Sequence, residues 1–360
     1  MTRPPTLSTR SLAEVAQRVP VPSYARDGLT AGIAHIGVGN FHRSHQAEYL
    51  DRLLAQDPTA PWAILGVGAR AEDAQLAAAL DAQDGLYSLS LFHPDGAVET
   101  RVIGSLTGMT LLAEDPAATV AALADPQVRI VSLTVTESGY VEDPTTGRRA
   151  ADDRGIQADA AGGFTTPHTA FGLIVAALRA RRNAGIPPFS VLSCDNIPHN
   201  GDVARASVLA VARCCSDELA TWVAENVGFP NSMVDRITPR ATTDQVATAE
   251  AALGVRDAAP VAAEPFQQWV IEDDFRSGRP ALERVGVVIT DDIGAYEDMK
   301  LRLLNGAHQV LAYVGLLRGH RFVHEAMGDA VVRAWLDRYW GLVLPCLRLP
   351  EGVDGEDYVR

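Results

Sequence analysis

Ala31-Gly-Ile-Ala-His-Ile36-Gly37-Val38-Gly39-Asn40-Phe41 decides the fold. Ala31–Ile36 is an apolar run of strand length, and Gly37-Val38-Gly39 follows it as a tight turn. Phe41–Leu54 then alternates polar and apolar faces at helical spacing, with Tyr49, Leu50, Leu53 and Leu54 on one side. Trp62–Val67 reads as a second buried strand. Strand, glycine turn, helix and strand make a β-α-β unit, so the predicted class is α/β, opening on a doubly wound parallel sheet.

The turn carries chemistry as well as topology. Gly37 and Gly39 let the chain bend sharply and let a phosphate approach the backbone, while the helix start offers free N–H groups. A dinucleotide is therefore predicted at Gly37, Gly39, Asn40 and Phe41. His42 stands where a third glycine is usual, and two glycines in a strand-helix turn are common in themselves. The second strand ends at Gly66-Val67-Gly68, with Arg70, Glu72 and Asp73 just beyond. An acidic side chain here suits the ribose of NAD, whereas Arg70 suits the 2′-phosphate of NADP. Glu72 and Asp73 also fit as first-turn residues complementing a helix dipole.

Further along, Leu86–Phe92, Val98–Ile103, Arg129–Val135 and Phe189–Ser193 read as strands. Asp115–Ala124 reads as a helix capped by Asp115 with Pro116 at its first position. Residues 141–168, rich in Asp, Gly and Thr, read as a long loop, and Ala170–Arg182 as a helix. A long helix is expected over 202–225. After Val285–Thr290 the strand signals fade, and Tyr296–Leu317 and Val323–Trp340 look helical. Two domains are expected: residues 1–285 binding the dinucleotide, and a mostly helical substrate domain over 286–360.

Composition narrows the function. Acidic residues number 45 against 31 basic ones, a formal net charge of −14 that repels nucleic acid but not a neutral substrate. No apolar run reaches the roughly 18 residues a membrane span needs. Met1–Pro22 has no apolar core of a signal peptide, and the four cysteines form no CxxC pair, so a cytoplasmic protein with reduced thiols is expected.

Tyr296-Glu-Asp-Met-Lys300-Leu-Arg-Leu-Leu-Asn305-Gly-Ala-His308 is the richest segment for catalysis. On an α-helix Lys300, His308 and Asn305 fall at about 0°, 80° and 140°, one broad face. Leu301, Leu304, Leu311 and Val314 suggest that the helix is substantially buried. A buried amine sheds its proton more readily, and a neutral amine is what alcohol oxidation needs to take the hydroxyl proton. Asn side-chain N–H groups can hold the developing alkoxide. The alternative is a surface lysine with Asn305-Gly306 marking a helix break. Asn196, after the strand ending at Ser193, sits where ligands bind in α/β sheets, or else forms an Asx-turn before Pro198. Tyr296-x-x-x-Lys300 matches a short-chain dehydrogenase pair, but its place in the chain and the missing TGxxxGxG turn make Tyr296 structural. His42, His45 and His308 lack a third metal ligand at ordinary spacing, so no metal is predicted and these histidines are expected to be solvated or hydrogen-bonded.

These stretches, with Cys194-Asp-Asn-Ile-Pro-His-Asn-Gly201, Ser232-Met-Val-Asp-Arg-Ile-Thr-Pro239 and Glu264-Pro-Phe266, resemble the polyol-specific long-chain dehydrogenases, the mannitol dehydrogenase family. They cover most of the chain in the family's order. The resemblance implies a Rossmann-like N-terminal domain, a helical C-terminal domain, NAD or NADP as cofactor, no metal and a monomer. It implies Lys300 as general base, Asn196 and Asn305 as the oxyanion site, and Asp235 and His308 among the substrate residues. It places Arg43 with the turn among the cofactor residues. His199 after Pro198 fits the mannitol-oxidising members, since the fructuronate-reducing ones tend to carry Glu there. The expected reaction is oxidation of a sugar alcohol at a secondary hydroxyl, D-mannitol to D-fructose. Its rivals are a hexuronate reductase of the same family and a non-catalytic dinucleotide-binding remnant. One departure is that the family's DGSxKxP-like tail segment is not found before Arg360. The helical domain is therefore expected to lack its last part and to expose apolar surface at Leu336, Trp340 and Leu344.

Overall fold

Strand Ala31–Ile36 forms as the sequence predicts and lies at the centre of a five-stranded sheet. The structure, a computed structural model, describes residues 5–142, 147 and 149–359. Residues 143–146 and 148 of the expected 141–168 loop lie outside the described residues. The chain divides into two compact units, Met1–Ile289 and Thr290–Arg360.

The described residues form β1 (Ala31–Ile36), β2 (Ala63–Gly68), β3 (Tyr87–Phe92), β4 (Val98–Ile103), β5 (Leu106–Leu111), β6 (Ile130–Leu133), β7 (Ser190–Ser193), β8 (Ser232–Asp235), β9 (Val261–Ala263), β10 (Gln268–Glu272) and β11 (Val288–Thr290). The main sheet is parallel throughout, in the order β5-β2-β1-β6-β7. The chain builds outward from β1 through β2 to β5, then returns to the other side of β1 for β6 and β7. The strand order therefore reverses between β1 and β6, and the crevice at their carboxyl ends is where such sheets bind ligands. Helices cover both faces, which explains why β1 is a continuous apolar run. Ala34 and Ile36 enter one core with Leu173, Ile174 and Val208, while Ile33 enters another with Leu50, Leu53 and Trp269.

Several expectations are corrected. β3 and β4 are strands, but they pair antiparallel and join β9 in a separate three-stranded sheet. β5 takes the edge position of the main sheet instead. Leu106-Thr-Gly-Met-Thr-Leu111 escaped notice because Gly108 weakens its strand signal. The short β8 and β10 pair antiparallel and complete a third sheet with β11. The helix expected over Phe41–Leu54 divides into Asn40–Ser44 and Gln46–Gln56 at His45, whose ring is held among Phe41, Tyr49 and Trp269. The 202–225 helix divides into Asn200–Cys215 and Asp217–Asn226, because Ser216 turns extended and caps the second by accepting from the Leu219 amide. Asp329 divides Val323–Trp340 in the same way, accepting from Val331. Within the expected loop, Asp153 caps a helix over Arg154–Ala161. The Asp115 cap and Pro116 start stand as predicted, with Asp115 accepting from the Ala118 amide.

The second unit is helical: Ile293–Met299, a π-helical turn Lys300–Asn305 and Gly306–Leu317 run on without a break, followed by Val323–Gly328 and Ala330–Val343. Its core is small, built on Ala307, Leu311, Ala326, Val332 and Leu336. Such a core covers one stripe of each helix, so the expected burial of the Lys300 helix holds for Leu311 but not for Leu301, which is 51% exposed. Leu336, expected at the surface, is buried, while Tyr313, Leu316, Leu317 and Trp335 are exposed. No helix among the described residues is long and apolar enough to cross a membrane.

Candidate active site

The glycine turn is built by the strands beside it. Gly37 has φ +94°, and a Cβ there would lie 2.2 Å from the Thr134 carbonyl oxygen, so only glycine lets β1 end this close to the chain leaving β6. The Gly37 amide donates to the Val67 carbonyl at 3.0 Å. Gly39 is exposed, and a Cβ there would meet nothing nearer than the Gly37 carbonyl at 3.8 Å. The turn is thus fixed from behind and open in front, at the reversal of strand order. That is a cradle suited to a dinucleotide phosphate.

Buried polar groups fix the turn further. The Thr134 hydroxyl donates to the Gly37 carbonyl at 2.8 Å and also lies 3.1 Å from Nε2 of His35. Its one proton is spent on Gly37, so toward His35 it accepts. His35 therefore carries its proton on Nε2, and Nδ1 accepts from Ser132 at 2.8 Å. Burial pushes the His35 pKa down to about 3, so the ring stays neutral. His42 stacks on this ring, and neither of its nitrogens has a hydrogen-bond partner among the described residues. The expectation of a solvated or hydrogen-bonded His42 is thus replaced by a stacked, buried one. His45 does form the expected hydrogen bond, from Nε2 to the Gln268 carbonyl at 2.9 Å. Arg43 is buried beside the turn: it donates to the Ala259 carbonyl and, at 2.7 Å, to Oδ1 of Asn40. Its guanidinium therefore ties the turn to the segment just before β9 and orients the Asn40 side chain.

At the end of β2, Gly68 has Asp73 packed against it, 2.8 Å from where a Cβ would stand. Asp73 Oδ2 accepts the Arg70 amide at 3.0 Å, folding the acid back over the turn. Arg70 also lies 3.4 Å from Glu72 and 3.5 Å from Asp73. With its side chain 71% exposed, these ion pairs contribute little. Both acids stand at the carboxyl end of the strand next to the glycine turn, where an adenosine ribose would be met.

On the other side of β1, the loops after β6 and β7 are joined by Asp195. Its carboxylate accepts the amides of Val135 and Thr136 at 3.0 and 2.9 Å and the Tyr140 hydroxyl at 2.8 Å. Burial raises the Asp195 pKa, and these donors oppose the rise. Asn196 follows it directly and is exposed. Asp235 ends β8, opposite Gln268 of β10. Next to it Arg236 is buried and donates to the Ser44 carbonyl and to Gln267 Oε1, tying β8 to the helix after the glycine turn. Arg236 and Asp195 carry no signal in a single sequence beyond lying inside the quoted motifs.

In the second unit the Lys300 segment departs from the ideal helix used to read it. Lys300–Asn305 is a π-helical turn, with hydrogen bonds from i to i+5. This wider turn brings Asn305 round toward the Lys300 face, nearer than the 140° of an α-helix. The freed backbone finds partners on helix Ala330–Val343: Tyr339 donates to the Arg302 carbonyl at 2.6 Å, and the Trp340 indole to the Leu303 carbonyl at 3.0 Å. Gly306 permits this, since a Cβ there would sit 1.9 Å from the Tyr339 oxygen. Lys300 is buried and Asn305 half-buried. His308 is exposed, with Nδ1 3.0 Å from the Leu304 carbonyl of its own helix. Among the described residues, no group of three His, Cys, Asp or Glu side chains is placed to hold a metal ion.

Comparison with known proteins follows this division. Residues 31–284 match the mannitol dehydrogenase Rossmann domain, and residues 292–360 the mannitol dehydrogenase C-terminal domain. Mannitol 2-dehydrogenase of Cereibacter sphaeroides is 50% identical over 317 residues, covering 88% of this chain and 66% of that protein. Polyol:NADP oxidoreductase of Gluconobacter oxydans is 42% identical over 355 residues, covering 98% of this chain and 73% of that protein. The solved ternary complex of Pseudomonas fluorescens mannitol 2-dehydrogenase with NAD and D-mannitol superposes with a TM-score of 0.90 at 46% identity, covering 98% of this chain and 72% of that one. The chain spans about two thirds of the length of the curated relatives it matches. By both of its domains, the chain belongs to the mannitol dehydrogenase family.

Proposed function

We propose that this protein oxidises a sugar alcohol at a secondary hydroxyl with NAD, D-mannitol to D-fructose foremost, with Lys300 as general base and no metal. The observation that carries the reading is the placement of buried Lys300 and half-buried Asn305 on one π-helical turn. The relative from Pseudomonas, solved with NAD and D-mannitol, supports the cofactor and the substrate class.

In this reading Gly37, Gly39, Asn40 and Phe41 receive the pyrophosphate on the backbone of the turn. Arg43 holds that turn in shape. Asp73 and Glu72 receive the adenosine ribose, which favours NAD, while the Gluconobacter relative named for NADP keeps the phosphorylated cofactor in view. A nicotinamide held there would supply the hydride acceptor for the carbon bearing the hydroxyl. Lys300 Nζ takes the hydroxyl proton, and the side-chain amides of Asn196 and Asn305 donate to the oxygen as its charge grows. Asp235 and His308 bind the remaining hydroxyls.

The test is NADH formation by the purified chain with D-mannitol, D-arabinitol and D-sorbitol, with and without a chelator. Chelator-insensitive turnover on D-mannitol is expected. Turnover abolished by the chelator would remove the lysine-only mechanism, and absence of both turnover and NADH binding would remove the reading altogether.

A further inference from the structure

The loop after β6 carries a backbone that needs an outside hold. Thr136 has φ 63° and ψ 165°, a region open to glycine and strained for a β-branched residue. Its amide and that of Val135 donate to the two carboxylate oxygens of one side chain, Asp195, which is 7% exposed. The Tyr140 hydroxyl, from the far end of the same loop, donates to that carboxylate as well. Asp195 itself belongs to the loop after β7, and Asn196 follows it.

The pairing of the strands alone does not require this arrangement. β6 and β7 are neighbouring parallel strands, paired from Ile130–Ser190 to Leu133–Ser193, and many unstrained turns could follow them. The strained residue lies beside the reversal of strand order, two residues after Thr134, which packs against Gly37. Backbone strain kept at such a place marks a surface whose shape is needed. In a doubly wound sheet each half receives one mononucleotide. The β1–β2 half carries Asp73 and Glu72 for the adenosine, so the β6–β7 half faces the nicotinamide.

We propose that Asp195 is a positioning residue for the cofactor: it holds the Val135–Thr136 peptide against its strain, so that the β6–β7 edge and Asn196 are in place before the nicotinamide half arrives. The inference rests on the dinucleotide reading above.

The test is NADH binding to the full chain, followed by the fluorescence of the bound nucleotide, for Asp195→Asn, Thr136→Gly and the double variant. Asparagine keeps the size of the side chain but turns an N–H group toward one of the two amides. Asp195→Asn is expected to weaken NADH roughly ten- to hundredfold, the loss that a misplaced contact surface brings. Thr136→Gly alone is expected to stay within about twofold, because glycine adopts this backbone freely. The double variant should recover most of the loss, since the strain that displaces the loop is gone. Amide exchange at residues 135 and 136 should quicken in Asp195→Asn. Unchanged NADH affinity in Asp195→Asn overturns the proposal. So does a loss that Thr136→Gly fails to recover, which would make Asp195 a fold element only. If Asp195→Asn does not fold alone, it is made in the Thr136→Gly background, where a loss of about tenfold or more overturns the proposal. A wild-type chain that binds no NADH overturns the dinucleotide reading first, and the inference with it.

Discussion

The rings of His35 and His42 lie face to face, with centroids 3.5 Å apart and planes 9° from parallel. Both are buried behind the glycine turn, and burial pushes the pKa of His35 down to about 3 and that of His42 well below its ordinary 6.5. A neutral pair can stack at this distance, but a charged pair without counter-ions cannot. Each ring therefore stays neutral when folded and takes a proton when unfolded. Stability is full above pH 6.5 and falls as the pH drops toward 3. The slope of that loss approaches one bound proton for each histidine. His42→Phe keeps a stacked ring without a titrating group. Urea unfolding between pH 6.5 and 4.5 should show a shallower acid loss for this variant, by close to one proton. An unaltered slope would mean that His42 titrates normally when folded.

In the proposed reaction Asp73 is expected to govern the choice of cofactor. It closes over the Arg70 amide at the end of β2, where a 2′-phosphate would meet its charge. Asp73→Ala removes that charge and frees Arg70 from one ion pair. NADH affinity is expected to fall and NADPH affinity to rise, shifting the ratio by about tenfold or more, or roughly 1.4 kcal/mol. Titrating both nucleotides against wild type and variant checks this. An unmoved ratio would leave Asp73 as the acceptor that closes the turn after β2 and a first-turn complement to the helix dipole.

How much of this was legible in the sequence depends on how local the signal is. The β1 turn, the Asp115 cap and β6 are set by neighbours a few residues away, and they read directly. His45 and Ser216 break helices whose periodicity runs straight through them. The break at His45 depends on Trp269 and Gln268, more than two hundred residues on, which no local pattern records. Among the candidate site residues, those of the turn were found by glycine spacing, and Lys300, Asn305 and Asn196 by residue type in context. Asp195 was not singled out, because its role lies in two amides and a hydroxyl some sixty residues earlier. The π-helical turn was missed for the same reason: its support comes from Tyr339 and Trp340 on another helix.

Lys300→Ala should separate binding from chemistry. The lysine lies outside the Met1–Ile289 unit that carries the glycine turn, so NADH affinity should be unchanged. Loss of a general base lowers turnover by about a hundred- to ten-thousandfold. Steady-state rates with D-mannitol alongside NADH titration give both numbers. A variant that keeps its turnover would transfer the base to another group. Equal loss of NADH affinity would make Lys300 a cofactor residue.

Tyr339 should matter to turnover although nothing assigns it to the reaction. Its hydroxyl donates to the Arg302 carbonyl in the middle of the π-helical turn, over a glycine that admits no side chain. Tyr339→Phe deletes this donor at a modest cost, about 1 kcal/mol. The turn can then relax toward α-helical winding, which rotates Asn305 away from Lys300. The expected result is a chain that stays folded and binds NADH normally but turns over D-mannitol about tenfold more slowly, the scale of a small misplacement of catalytic groups. Gly306→Ala should do the same more severely, because its methyl group displaces the Tyr339 ring outright. Wild-type turnover in Tyr339→Phe would show that the wide turn holds without this bond, or that the spacing of Lys300 and Asn305 tolerates its loss. Amide exchange at Gly306 and Ala307 in the same variant decides which, since only a turn that has rewound changes its protection there.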